Sequence, residues 1–281
     1  MIQNIHSVTN KSMRIYLDSK DIIKLLEKSE PCTAEKFDNF LRNGNHELVF
    51  SFITITEVSA PLFHKNAKTN VMWLLSQIEK LPHIYIHSAI ITHLELEEAY
   101  HAFVNGNEYQ DILPPFVSRF DMTVDLQGNP ATKQYINYPL AETVWDLYNF
   151  GGLGGLNKYA EKLRETFKAD RALNPKPSLK KNFANMIERN IKLYQLKISL
   201  EEVTSFANWI YSNPKRCPSD RLGYELWHKI VKNITDIPYD SDLEDFVNIA
   251  ALPYVDIMTL DRRMHGYVCQ VSKDISIEYN K

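Results

Sequence analysis

Met13-Arg14-Ile15-Tyr16-Leu17-Asp18 reads as a short buried strand that ends in an acid, and Ser19 to Lys28, with Ile22, Ile23, Leu25 and Leu26, reads as a helix packed on a sheet. A second short helix over about Thr33 to Arg42 stops at the turn signal Asn43-Gly44-Asn45. The chain then enters a second apolar run, Leu48 to Ile53, followed by Thr54-Ile55-Thr56-Glu57. Strand, helix, helix, strand, helix is the order of a parallel sheet covered on both faces, in which ligands bind at the carboxyl ends of the strands. More than 180 residues after Glu57, Ser241-Asp242-Leu243-Glu244-Asp245 opens another helix, and Val255-Asp256-Ile257-Met258-Thr259-Leu260-Asp261 reads as a strand ending in acid. The acids of both chain ends therefore fall at strand ends or on the helices that leave them.

Composition bounds the class. With 281 residues, 44% hydrophobic and 24% charged, the chain has enough apolar material for one elaborated domain or two small ones. Cys32, Cys217 and Cys269 are scattered and lack CxxC spacing, which argues against a disulfide framework and a zinc site. Met1 to Lys11 has no apolar leader, and no window approaches the roughly 18 apolar residues of a membrane span, so the expected location is cytoplasmic with no membrane partner. Net charge is −3, but Lys158 to Lys197 holds eleven basic residues against four acids. Such a segment, with Lys180 and Lys181 at its centre, can neutralise phosphates while the rest of the chain stays acidic; it also reads as solvated helix faces.

The middle of the chain is different in character. Apart from a short strand at Ile84-Tyr85-Ile86, helical patterns run over Thr92 to Val104, Leu140 to Phe150, Leu156 to Ala172, Leu179 to Leu196, Leu200 to Tyr211 and Arg221 to Asn233. Ser199-Leu200-Glu201-Glu202 reads as a capping box and Ser219-Asp220 as a helix start. Gly151-Gly152-Leu153-Gly154-Gly155 follows a helix and fits neither phosphate-loop pattern, so it reads as a hinge or helix stop. His83, His87, His93 and His101 cluster in sequence without HExxH or paired cysteines.

The Ile15-Tyr16-Leu17-Asp18-Ser19 run, the strand leading to Thr56-Glu57, Asp242-Leu243-Glu244-Asp245-Phe246, Leu252-Pro253-Tyr254-Val255-Asp256 and Thr259-Leu260-Asp261 together resemble a PIN (PilT N-terminus) nuclease domain. The resemblance covers roughly residues 12 to 62 and 236 to 281. It implies a three-layer α/β/α sandwich with a central parallel sheet and metal-dependent cleavage of RNA, less often of structured DNA, leaving 5′-phosphate and 3′-hydroxyl ends. Several members are toxins of toxin–antitoxin pairs, so a toxin or defence role, an inhibitor protein as partner and an oligomer are open. The implied organisation is a discontinuous core, 1–62 and 236–281, interrupted by a mainly helical insertion, 63–235.

By the same resemblance Asp18 is the first acid, Glu57 the second, Asp242 or Asp245 the third and Asp261 the last, with Asp256 as a further ligand to Mg²⁺ or Mn²⁺. Ser19, Thr259 and Asn248 would orient those carboxylates or the metal's waters, and Asn248 stands where many relatives carry His. Lys20, Arg262 and Arg263, beside the acids, would hold phosphates. The chemistry agrees, since a hard cation takes carboxylate oxygens and keeps several waters, and a cluster of like charges is costly unless a cation neutralises it.

Each acid also has a structural explanation. Asp18 can N-cap the helix at Ser19, Thr54 to Glu57 spells a capping box, and Ser241 to Glu244 another, which makes Asp242 a first-turn acid. Asp242, Asp245 and Asn248 share a polar stripe beside Leu243, Phe246, Val247 and Ala250. A haloacid-dehalogenase-type phosphatase would need an acid two residues after Asp18, where Lys20 stands. The remaining rival is a PIN-like module that no longer cleaves and binds nucleic acid or protein.

Overall fold

A computed structural model describes residues 12–27, 33–59, 68–86, 91–106, 116–117, 140, 161, 164–173, 179–233, 245–246 and 248–275. β1 (Arg14–Tyr16) leads into α1 (Ser19–Leu26), α2 (Ala34–Gly44), β2 (Glu47–Ser51), α3 (Phe52–Ser59), α4 (Lys68–Ile78), β3 (His83–Ile86), α5 (Ile91–Asn105) and β4 (Phe116–Val117). Helical residues 164–172 precede α6 (Leu179–Leu193), α7 (Leu200–Ser212), α8 (Pro218–Lys232), β5 (Ile257–Met258) and α9 (Arg262–Ile275). The five strands lie in the order β4-β3-β2-β1-β5. β3, β2, β1 and β5 are parallel and β4 is antiparallel to β3.

Alternation along the strands sorts the helices into layers. Ile15, Leu48, Phe50 and Tyr85 point to one face and bury against apolar residues of α1, α2, α3 and α4. Tyr16, Val49 and Ile86 point to the other and bury against Leu222, Leu226, Ile230 and Val231 of α8 and Met264, Val268 and Val271 of α9. The protein is thus α/β, with helices on both faces of a four-strand parallel sheet. A third cluster lies outside the sheet: Leu96 and Ala99 of α5, Phe183, Ile187 and Ile191 of α6, Val203, Phe206 and Ile210 of α7, and Cys217 and Tyr224 at α8. α8 therefore serves two cores. Glu95 of α5 accepts the Ser219 N–H at its amino end, and Arg171 donates to the Ile230 and Asn233 carbonyls at its carboxyl end, so charge of the favourable sign meets each pole of the helix.

Several sequence expectations shift at element ends. The second run stops being strand at Ser51, because its hydroxyl oxygen accepts the Thr54 N–H at 3.1 Å and starts α3 there. The capping box expected at Thr54 and Glu57 is thereby displaced, and Glu57 sits in the second turn of α3. Of the run from Val255 to Asp261 only Ile257 and Met258 pair as strand. Ser199 precedes α7 without a side-chain cap bond; its hydroxyl donates to Glu202 Oε2 at 2.8 Å. α8 begins at Pro218, before the Ser219-Asp220 start read from the sequence, since proline suits a first turn that needs no N–H. The glycine run 151–155, the helix expected at Leu140 to Phe150 beyond residue 140, His87 and Cys32 lie outside the described residues.

Candidate functional site

Tyr16 is 1% exposed, and its hydroxyl is the meeting point of four segments of the chain. It donates to Asn248 Oδ1 at 2.6 Å, and it lies 2.7 Å from Ser51 Oγ at the end of β2 and 2.5 Å from Thr54 Oγ1 in α3. Ser51 Oγ also donates to Asn248 Oδ1 at 3.0 Å. A buried phenol needs such partners, and here they close into a network. Burial pushes the Tyr16 hydroxyl well above its usual pKa, the bonds from Ser51 and Thr54 oppose this, and the charges of Glu57 and Asp18 add to the rise. Those two carboxylates are thus near enough to the phenol to act on it, although 39 residues separate them in the chain.

Three acids neighbour members of this hub in the chain. β1 ends at Tyr16, and Asp18 follows two residues later as the N-cap of α1, with its charge acting on the Tyr16 hydroxyl. Glu57 follows Thr54 by one helical turn in α3, and Asp245 precedes Asn248 by one turn, on helical residues 245–246 and 248–249. A second tie joins the fourth acid. The Thr259 N–H donates to the Tyr16 carbonyl at 2.9 Å, and Thr259 Oγ1 accepts the Asp18 N–H at 2.7 Å. Thr259 thus reaches Asp18 through its main chain rather than through the carboxylate, and Asp261 follows two residues later. Asp18 and Asp261 both N-cap helices: Oδ1 of Asp18 accepts the Lys20 N–H at 2.9 Å, and Oδ1 of Asp261 accepts the Met264 N–H at 2.7 Å. Two acids thus lie at the positive poles of α1 and α9, the helices that follow β1 and β5. Lys20 and Arg262 are exposed next to them, and Arg263 is half-buried. Ser19 is the first residue of α1.

Asp256 does not join this group. The register sets Ile15 beside Ile257, and Arg14 N–H donates to Asp256 Oδ2 at 2.9 Å while the Asp256 N–H donates to the Arg14 carbonyl at 2.9 Å. Asp256 is level with the start of β1, about 13 Å of strand from Asp18, and fastens the amino end of β5. Lys180 and Lys181 are exposed on α6, which packs on α7 in the third cluster. Asp242 lies outside the described residues, so Asp245 alone represents the third acid.

The donor set at this edge is carboxylate oxygen, which suits Mg²⁺ or Mn²⁺ held with most of its waters. Among the described residues no three or more His, Cys, Asp or Glu side chains are gathered tightly enough to hold a metal ion by themselves. In sequence Thr54 reads only as a helix cap, Tyr16 only as part of a strand, and Ser51 has no assigned role. Their signal was present, since a tyrosine in a buried strand and a serine at the next strand's end each require a partner. Replacing Tyr16 with Phe removes one of the partners of Asn248 Oδ1 and of the Ser51 and Thr54 hydroxyls, which still bond one another, at an expected cost of about 0.5–1.5 kcal/mol in urea unfolding; an unchanged midpoint would mean the network carries no stability.

Comparisons with family models, curated proteins and solved structures find no match to this chain. None of the described helices is long and apolar enough to cross a membrane.

Proposed function

We propose that the protein is a metal-dependent nuclease of PIN-like fold that hydrolyses phosphodiester bonds, in RNA ahead of DNA, at the carboxyl edge of β1, β2 and β5, with the helices of 63–235 inserted into the nuclease core. The observation that carries the reading is the Tyr16 hub. It ties β1, the start of α3 and Asn248 together, and Thr259 bonds the Asp18 main chain, which supports a reading in which Asp18, Glu57, Asp245 and Asp261, near these residues in the chain, face one site. Mg²⁺ or Mn²⁺ bound there would supply an acidified water and neutralise the scissile phosphate. Asp18, Glu57, Asp245 and Asp261, with Asp242, would provide its oxygen ligands. Lys20, Arg262 and Arg263 offer cationic contacts to flanking phosphates. Tyr16, Ser51, Thr54 and Asn248 keep the acid-bearing elements in register, so that a water held between them and the phosphate meets a fixed geometry. Asp256 is left out of the ligand set.

One observation favours a second reading, a PIN-like module that binds without cleaving: the described acids do not by themselves form a metal cage. Incubating the purified protein with single-stranded RNA, structured RNA and DNA in Mg²⁺, Mn²⁺ or chelator separates the two. The nuclease reading expects metal-dependent cleavage of at least one substrate with new 5′-phosphate ends. Binding without cleavage on every substrate supports the module, and cleavage that persists in chelator rules out a metal nuclease.

The exposed lysines of α6 give a separate test. Lys180→Glu with Lys181→Glu is expected to weaken RNA binding and to reduce the slope of log affinity against log salt by about 0.7 for each phosphate that is no longer neutralised. An unchanged slope would remove α6 from the nucleic-acid path.

A further inference from the structure

Glu95 of α5 is 0% exposed, and each side-chain or main-chain group bonded to its carboxylate donates to it. The Ser219 N–H reaches both oxygens, at 3.0 and 3.1 Å, the Asp220 N–H reaches Oε2 at 3.4 Å, and the Tyr254 hydroxyl donates to Oε1 at 2.5 Å. The two N–H groups belong to the first turn of α8, where helix geometry leaves them without intrahelical acceptors, and Cys217 before it gives no side-chain cap. The hydroxyl belongs to the single turn of 3₁₀ helix at Leu252–Tyr254. A second strap runs alongside, from Ser219 Oγ to the Ala250 carbonyl at 2.7 Å.

The strapped turn lies between the two points that fasten the candidate site. Asn248 closes the Tyr16 cluster on one side of it, and Thr259 receives the Asp18 N–H on the other. Helices α5 and α8 thereby grip, from outside the sheet, the stretch of chain that carries Asp245, Asn248 and Asp261.

We propose that Glu95 and Tyr254 form a latch through which α5 and α8 hold the Asn248-to-Asp261 segment against β1, making Glu95 a positioning residue of the site. The positioning role rests on the nuclease reading; the latch itself is independent of substrate and metal.

The charged and titratable groups around Glu95 are few. Asp220 of α8 is buried, with Oδ1 accepting from Asn190 of α6 at 3.2 Å and Oδ2 without a hydrogen-bond partner. Cys217, before α8, donates its thiol to the Glu95 carbonyl at 3.5 Å, Arg216 acts on that thiol, and Tyr254 faces from the 3₁₀ turn. Burial pushes the Glu95 carboxyl from its usual 4.5 up to about 7, against the bonds from Ser219 and Tyr254 that favour its ionised form. Burial and the Glu95 charge push Asp220 up as well. The closed latch therefore holds protons more tightly than an opened, wetted one. Opening becomes easier as pH rises from about 4.5 to about 7 and levels off above that.

Amide hydrogen exchange on the metal-free, RNA-free full chain tests this, whether or not the protein proves to be a nuclease. Tyr254→Phe removes only the hydroxyl. It is expected to speed exchange over residues 248–258 about ten-fold, the equivalent of one hydrogen bond to a charged group, while α7 keeps its protection. In the wild type, corrected for intrinsic rates, opening of 248–258 should increase with pH across the window above, and the increase should shrink in Glu95→Gln. Unchanged exchange in Tyr254→Phe, faster exchange spread equally over α7, or an undiminished pH dependence in Glu95→Gln would each overturn the latch. If Glu95→Gln does not fold, Tyr254→Phe decides alone.

Discussion

Asp18→Asn is expected to abolish metal-dependent phosphodiester cleavage while leaving the fold intact. The two outcomes separate because the cap that Asp18 forms and the ligand role proposed for it depend on different properties of the side chain. As an N-cap it accepts the Lys20 N–H through Oδ1 at 2.9 Å, and asparagine caps helices about as well as aspartate, so α1 should start where it does now. As the ligand proposed above it would offer a charged oxygen that the amide cannot replace. Outer-shell partners of metal ligands are worth about 10–100-fold in affinity or activity, which sets about 100-fold as a floor for the loss of a ligand itself. Without metal, removing one member of a like-charge group should leave stability unchanged or slightly raised. With Mg²⁺, the wild type should gain thermal stability by ligand linkage and the variant should gain much less. Equal cleavage by both proteins would exclude Asp18 from the chemistry.

Phe183→Ala is expected to be the costliest substitution in the helical region and to reach the sheet. Phe183 is fully buried in the third cluster, its ring edge-on to Tyr224 at 5.1 Å and to Tyr211 at 5.5 Å between centroids. The Arg221 guanidinium lies 5.4 Å from the ring centre. Truncating such a side chain typically costs about 3–5 kcal/mol, a large share of a domain's total of about 5–15 kcal/mol. Tyr224 and Arg221 belong to α8, whose Leu222, Leu226 and Ile230 support the opposite sheet face. Denaturant unfolding followed by circular dichroism and by tryptophan fluorescence should therefore show one shared transition, shifted to lower denaturant. Two transitions, with only the first shifted, would mean that α5, α6 and α7 form an independent domain.

Much of the sheet was legible because its strands obey period two and α1, α2, α3 and α9 begin after residues with a capping side chain. Ile15 and Tyr16 face opposite layers as their alternation requires, and Thr33 caps α2, which ends with Asn45 in the left-handed conformation at a φ of 50°. The parallel order of β3, β2, β1 and β5 follows from the strands alternating with helices. Cap positions were less legible, since Ser51 and Thr54 compete for the start of α3 and only the end of pairing at Ser51 decides between them. Register decided the fate of Asp256: an acid before a two-residue strand looks in sequence like an acid after it. Glu95 carried no local signal, because its partners lie 124 and 159 residues away and a glutamate on a helix reads as solvated until its surroundings are known. The Tyr16 hub was hidden for the same reason, with Asn248 reached across 232 residues.

Convergence of carboxylates from the start of α1, from α3 and from the segments before and after β5 on a divalent cation is the claim on which the proposed chemistry stands. Mn²⁺ binding followed by electron paramagnetic resonance tests it in the wild type and in Asp18→Asn, Glu57→Gln and Asp256→Asn. Mn²⁺ should be bound by the wild type and by Asp256→Asn, and binding should be weakened at least about ten-fold in Asp18→Asn and Glu57→Gln. Mn²⁺ held equally by all four proteins, or by none of them, would contradict it.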